Sequence, residues 1–226
     1  MNEHSVEWIM SDNLPKKQPR TAPPEARREQ LIDATITAIS TYGLSGTTLA
    51  KVTAEAGLSL GLVNFHFKSK EALLTATLTH LADEHRALWF TRSSQPDVSA
   101  ADKLKLIVDA QFHAKICNRR KLSVWFAFFG ESRPRKAYRE LTGPLDEERQ
   151  IATSRLCADI IAEGGYSGID SDTVSAMLES LFDGFWLNIL MYPDRFTRQS
   201  AKAQVLSYLR LCFPQHFTCL DAETFA

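Results

Sequence analysis

Thr47 to Leu73 reads TTLAKVTAEAGLSLGLVNFHFKSKEAL, and its spacing predicts a short helix, a glycine turn, a second short helix and the capped start of a third. Leu49, Val52 and Ala56 recur at helical intervals behind Thr48, whose hydroxyl can accept from the first free backbone N–H groups. Gly57 ends that helix, because the residue after a helix usually takes a positive φ, which glycine reaches without a Cβ clash. Ser59 opens the second helix, in which Leu58 and Val63 can turn inward while Leu60, Gly61, Asn64 and Phe65 stay outside. An outer face of this composition suits a groove better than open water. Ser69 then caps a helix that begins at Lys70, with Glu71 in its first turn. Two short helices joined by such a turn form a helix-turn-helix, whose second helix enters the major groove of DNA.

Taken in order, Thr47, Thr48, Val52, Ala56, Gly57, Leu58, Ser59, Gly61, Val63, His66, Phe67, Lys70 and Leu73 resemble the DNA-binding half of the TetR family of bacterial repressors. One departure is Thr53, where the family usually has alanine, and its extra bulk implies a slightly altered angle between the short helices. The resemblance implies that Leu60, Gly61 and Leu62 face the bases, the glycine permitting close approach and the leucines reaching thymine methyl groups. Asn64 has an amide able to pair with adenine or bind phosphate, and Phe65 can pack on sugar or methyl groups. Thr48, Ser59, His66 and Lys70 are the expected phosphate contacts, through hydroxyls, imidazole, ammonium and the positive ends of their helices. Arg27, Arg28 and Thr47 complete the expected DNA-binding set. The plainer alternative makes Thr48, Ser59 and Ser69 caps alone, Phe67 core and Lys68 a solvated charge.

The 226 residues carry a formal net charge of −1, so affinity for a polyanion must come from a local patch. From Pro15 to Lys70 the cations Lys16, Lys17, Arg20, Arg27, Arg28, Lys51, Lys68 and Lys70 outnumber Glu25, Glu29, Asp33 and Glu55. Cys117, Cys157, Cys212 and Cys219 form no C-x-x-C pair, and no histidine stands at zinc-finger spacing, so reduced thiols in a cytoplasmic protein are expected. No export signal is read at the N-terminus, and no apolar run approaches a membrane span: Ala176 to Tyr192 is interrupted by Glu179, Asp183 and Asn188. His80 and Glu84 stand at i, i+4 beside His85 but lack an evident third ligand, so neither metal nor cofactor is assigned. An enzyme is not expected, since the chain has no G-x-S-x-G elbow, phosphate-binding glycine loop or dinucleotide fingerprint.

Residues 1–22 mix charges and prolines without period and read as a disordered arm. Beyond them the pattern is helical throughout, giving an all-α fold: a three-helix DNA-binding domain over 23–70, a helical effector-binding and dimerisation domain over 71–214, and a tail over 215–226. The first helix opens at Pro23-Pro24 and ends near Gly43; later ones are expected over 69–92, 99–116, 121–131, 134–163, 171–191 and 197–213. Gly143-Pro144 predicts a kink or break near Thr142. Apolar stripes through Val174, Met177, Leu178, Leu181, Phe182, Phe185 and Ile189, and through Val205, Leu206, Tyr208, Leu209 and Cys212, are expected to pair with a second copy in a homodimer.

Aromatic residues crowd the middle of the chain, and most are expected in the core. The strings Trp125-Phe126-Ala127-Phe128-Phe129 and Phe182-Asp183-Gly184-Phe185-Trp186 resemble the C-terminal domain of the repressors that control choline-to-betaine synthesis. Aromatic faces with one carboxylate are what a quaternary ammonium site uses. Trp89, Phe112, Trp125, Phe129, Phe182, Asp183 and Trp186 are therefore the expected ligand-binding residues, unless Asp183 forms a salt bridge with Arg155 or Arg195. The function expected is a dimeric repressor of a palindromic double-stranded DNA operator, released by a small-molecule effector such as choline. The alternative is a helix-turn-helix regulator whose larger domain only dimerises.

Overall fold

The computed structural model describes residues 23–130 and 132–218, which form nine α-helices and contain no strand. Residues 1–22, with Lys16, Lys17 and Arg20, lie outside the described residues, as do 219–226. Helix α1 spans Pro24–Gly46, with proline at its start where an N–H would have no partner anyway. It buries Leu31, Ile32, Thr35, Ile36 and Ile39. At Gly43 the backbone turns to φ 71°, so the regular helix stops there. Helix α2 (Leu49–Ala56) is capped by Thr48 and closed by Gly57 at φ 62°, ψ 31°. Helix α3 (Leu60–His66) follows with Ser59 as its cap. Thr53 turns its hydroxyl back onto the Ala50 carbonyl at 2.9 Å, which accommodates the branch within α2 itself.

Helix α4 (Lys70–Ser93), capped by Ser69 through the Ala72 N–H at 3.1 Å, runs about 36 Å from the DNA-binding helices into the larger domain. Helix α5 (Ala100–Gln111) stops five residues before the expected Ile116. Asn118 Oδ1 accepts from the Lys121 N–H, capping α6 (Arg119–Gly130), so the chain turns between the two while Phe112, Ile116 and Cys117 stay buried. Helix α7 (Ser132–Gly164) runs on through Pro144, so of the kink or break expected near Thr142 the break does not occur. The carbonyl that the proline leaves without a partner belongs to exposed Glu140, where water can satisfy it.

Helices α8 (Ser171–Met191) and α9 (Arg198–Cys212) close the fold. By length and composition α8 reaches the threshold for a membrane span, as core helices also do, and it buries Val174, Leu178, Phe182, Phe185 and Trp186 within the fold. Of the expected dimer stripes, Val174, Leu178, Phe182, Phe185, Val205 and Leu209 are buried within the chain, whereas Met177 is exposed and Leu181, Ile189, Leu206, Tyr208 and Cys212 are half-buried. The face left open on α8 is Met177, Ser180, Gly184, Leu187 and Met191, spaced alternately three and four residues apart as in a helix-pairing seam.

One continuous core joins both expected domains, from Leu31 through Leu73 and Leu122 to Phe217. Packing thus extends past residue 214 into the expected tail: Phe217 is buried, and the Tyr166 hydroxyl stands 3.0 Å from His216 Nδ1 and accepts from the Gln215 N–H at 2.9 Å. Helix α1 rests on α6, α2 and α4. Arg120 at the start of α6 grips Asp33 and the Thr37 hydroxyl on α1, and Lys121 pairs with Glu84 on α4.

Candidate functional site

The outer surface of α3 matches the residue types placed there by sequence. Val63 is fully buried, whereas Leu60 and Phe65 are 50% and 76% exposed and Gly61 and Asn64 lie open beside them. Leu62 and His66 are half-buried, and His66 packs edge-on against Phe65 with ring centroids 5.0 Å apart. A Cβ on Gly61 would meet only Ser59 Oγ at 3.7 Å, an ordinary contact, so the fold itself does not require glycine there. Its absence of side chain clears space in front of α3.

Thr48 and Ser59 accept from the Lys51 and Leu62 N–H groups at 3.3 and 3.4 Å, which leaves each hydroxyl hydrogen free to donate. Lys70 occupies the first turn of α4, where the helix dipole disfavours a cation. Thr47 is corrected: it is 1% exposed and its hydroxyl donates to the Gly43 carbonyl at 2.7 Å, so it holds the α1–α2 turn. Arg27 donates to Gln30, which reaches the Ala56 carbonyl, and Arg28 lies over the Phe67 ring at 5.4 Å. Sequence reasoning did not single out the neighbouring pair in which Lys51 Nζ sits 4.0 Å from the centre of the Tyr42 ring.

The larger domain holds a cavity of about 560 Å³, within the usual range for small-molecule sites. Helical spacing builds it: Glu179, Phe182, Asp183 and Trp186 share one face of α8, Trp125 and Phe129 one face of α6, and Asp146, Arg149 and Gln150 one face of α7. His85 from α4, Gln111 from α5 and Tyr138 from α7 complete the principal walls. Tyr138 packs against Phe129 at 4.5 Å and Trp125 at 5.9 Å, and Trp125 lies 6.3 Å from Trp186.

Charge in this cavity is predominantly negative. Among the described residues that line it, Asp146, Glu147, Glu179 and Asp183 face one permanent cation, Arg149, which donates to both Glu179 oxygens and pairs with Asp146 at 3.2 Å. Enclosure by the surrounding side chains pushes the Asp183 carboxyl up to about 6, with Arg149 opposing and Glu179 and Asp146 reinforcing the shift. Burial, aided by the charge of Arg149, lowers His85 to about 3 against the pull of its Gln111 hydrogen bond. His85 is therefore neutral at physiological pH and does not repel a cation.

Trp125, Phe129, Phe182, Asp183 and Trp186 are thus brought together as expected from sequence. Trp89 and Phe112 are not. Trp89 packs with Ile107 and Ala110 and fronts a separate groove across α7, while Phe112 stands behind the wall, edge-on to Phe182 and Phe185. The cation acting on Asp183 is Arg149 rather than Arg155 or Arg195. Glu84, on the same face of α4 as His80, pairs with Lys121 and Lys115. Tyr138, Arg149, Glu179, Gln111 and His85 were missed; only Glu179, one turn before Asp183 in an apolar helix, carried a signal.

Residues 31–77 match the family of bacterial regulatory proteins of the tetR type, and residues 100–214 match the C-terminal domain of the BetI-type transcriptional repressor. The chain is 32% identical over 198 residues to the HTH-type transcriptional regulator BetI of Paraburkholderia xenovorans, covering 85% of this chain and 96% of that one. It is 33% identical over 196 residues to BetI of Paraburkholderia phytofirmans, again covering 85% and 96%. A TetR transcription regulator from Haloarcula marismortui superposes with a TM-score of 0.69 at 20% identity, over 81% of this chain and 96% of the other, which is a likeness of fold.

Proposed function

This chain belongs to the tetR family of bacterial regulatory proteins, as a DNA-binding transcriptional repressor with a BetI-type C-terminal domain, and from that premise we propose that it acts in the cytoplasm as a homodimer released from a palindromic operator by a small organic cation. The observation that carries the effector reading is the cavity of the larger domain, where, among the described residues, Trp125, Phe129, Tyr138 and Trp186 surround space lined by four carboxylates and one arginine. Aromatic faces attract an ammonium by about 2 kcal/mol or more when water is excluded. Choline is the candidate that the family resemblance favours. In the DNA-bound state α3 of each subunit lies in the major groove, with Leu60, Gly61, Leu62, Asn64 and Phe65 at the bases and Thr48, Ser59, His66 and Lys70 on phosphates. Effector and operator then oppose each other by the same coupling free energy seen from either site.

Footprinting on the DNA upstream of the gene, with and without choline, tests the whole reading: protection over a two-fold symmetric site that millimolar choline removes is expected. Protection unchanged by choline, with no change in tryptophan fluorescence, would eliminate the cation reading. Operator affinity should fall steeply with salt. Lys70→Ala should lower the slope of log K against log salt by about 2 for a dimer, one contact being lost per subunit at roughly 0.9 each. An unchanged slope removes Lys70 from the phosphate contacts.

Effector affinity should also depend on pH with a defined sign. A cation favours the ionised form of Asp183, whose carboxyl titrates at about 6, so binding tightens as pH rises from 5 to 7 and levels off above. A ligand that lowers the Asp183 value by one unit gives a change of about tenfold. Asp183→Asn should bind the cation more weakly at pH 7 and lose this pH dependence; a profile identical to wild type would refute the assignment.

A further inference from the structure

Gln111 ends α5 with its side chain in the cavity wall and only 1% of its surface exposed. Two of its oxygens are occupied. The backbone carbonyl accepts from Trp186 Nε1 at 2.9 Å, and Oε1 stands 3.1 Å from His85 Nε2. Neutral His85 has one N–H, and donation from Nε2 to Oε1 satisfies that contact. Gln111 Nε2 is then left without a hydrogen-bond partner. Buried amide groups are nearly always paired, and turning the amide over so that Nε2 donates to an unprotonated His85 Nε2 brings no relief, because Oε1 is then unpaired in its place. The acceptors nearest in kind do not serve it, since Glu179 is engaged with Arg149.

We propose that Gln111 Nε2 is the specificity-determining donor of this cavity: it hydrogen-bonds an oxygen of the effector while the cationic end lies among Trp125, Tyr138 and Asp183. The cognate ligand is accordingly a hydroxylated organic cation, not a wholly apolar ammonium. The inference rests on the cation reading above and adds a second anchor to it. A buried donor that finds no acceptor makes the analogue lacking that oxygen bind poorly, because the site's own hydrogen bond stays unmade.

Two probes of equal charge and closely similar volume isolate the oxygen: choline, and n-propyltrimethylammonium, in which a methyl replaces the hydroxyl. Titration of the full chain followed by tryptophan fluorescence and calorimetry should show choline binding at least about tenfold more tightly. Gln111→Met should bring choline to the level of the propyl analogue, whose own affinity changes by no more than about twofold. Equal binding of both probes to the wild type overturns the role of Gln111 and leaves the cation reading standing. Retention of the choline preference by Gln111→Met also overturns it. Binding of neither probe at millimolar concentration removes the cation reading, and this inference with it. The wild-type comparison needs no variant, so it decides the matter even if Gln111→Met folds poorly.

Discussion

Arg149→Met should lose about 3–5 kcal/mol of stability at pH 7, the cost typical of removing one partner from a buried ion pair. For a chain of this size that is a fall in Tm of roughly 10 °C. The Arg149 side chain is 8% exposed and its partner Glu179 21%, and the guanidinium also pairs with Asp146 and acts on Asp183. Without it, Asp146, Glu179 and Asp183 lie together with no counter-charge among the described lining residues. Asp183, already raised to about 6 and now without the opposing charge of Arg149, takes up a proton more readily still in the folded form, so the variant's deficit shrinks between pH 7 and pH 5. Wild-type Asp183 follows the same sign more weakly, since a folded value of about 6 makes its contribution to stability greatest at low pH and lost as pH rises through 6. Combining Arg149→Met with Glu179→Gln should recover much of the loss, because the pair is then removed together. Thermal melts decide it: a single variant within a degree of wild type at pH 7, or one whose deficit grows on acidification, would show that Arg149 does not hold these carboxylates.

The contrast between Gly57 and Arg149 shows which features were legible. The caps Thr48, Ser59 and Ser69 and the left-handed Gly57 act within a few residues of themselves, so α2, α3 and the start of α4 were readable to within a residue or two. Periodicity likewise placed Phe182, Asp183 and Trp186 on one face of α8. Which element stands opposite a face is not local information. Trp89 and His85 are one turn apart on α4, yet Trp89 meets Ile107 and Ala110 while His85 reaches the cavity. Arg149 lies in the run DEERQ, which reads as a solvated charged surface, and becomes buried only because α7 packs on α8 and brings Glu179, thirty positions away, to its guanidinium. Thr47 failed as a DNA contact for a similar reason: its acceptor is the Gly43 carbonyl, aimed at it by a positive φ four residues earlier.

Gly184→Glu should leave the monomer folded and abolish tight operator binding. Glycine inside a helix costs about 1 kcal/mol relative to alanine, and a Cβ at Gly184 would meet nothing within 4 Å. Among the described residues, nothing within one chain therefore requires glycine at that position. A requirement does arise if a second helix crosses there, along the open face of Met177, Ser180, Gly184, Leu187 and Met191, where the two small residues let backbones approach. In the proposed two-fold dimer the substitution sets two carboxylates against each other in that seam, and the dimer should weaken by at least about 100-fold, the equivalent of roughly 3 kcal/mol. Sedimentation equilibrium would register the change directly, and circular dichroism should show wild-type helix content. The DNA readout separates loss of the dimer from loss of the fold: a folded single subunit neutralises half as many phosphates, so its residual binding should show about half the wild-type salt slope. A Gly184→Glu protein that remains dimeric at micromolar concentration, with unchanged operator affinity and salt slope, would place the dimer interface elsewhere.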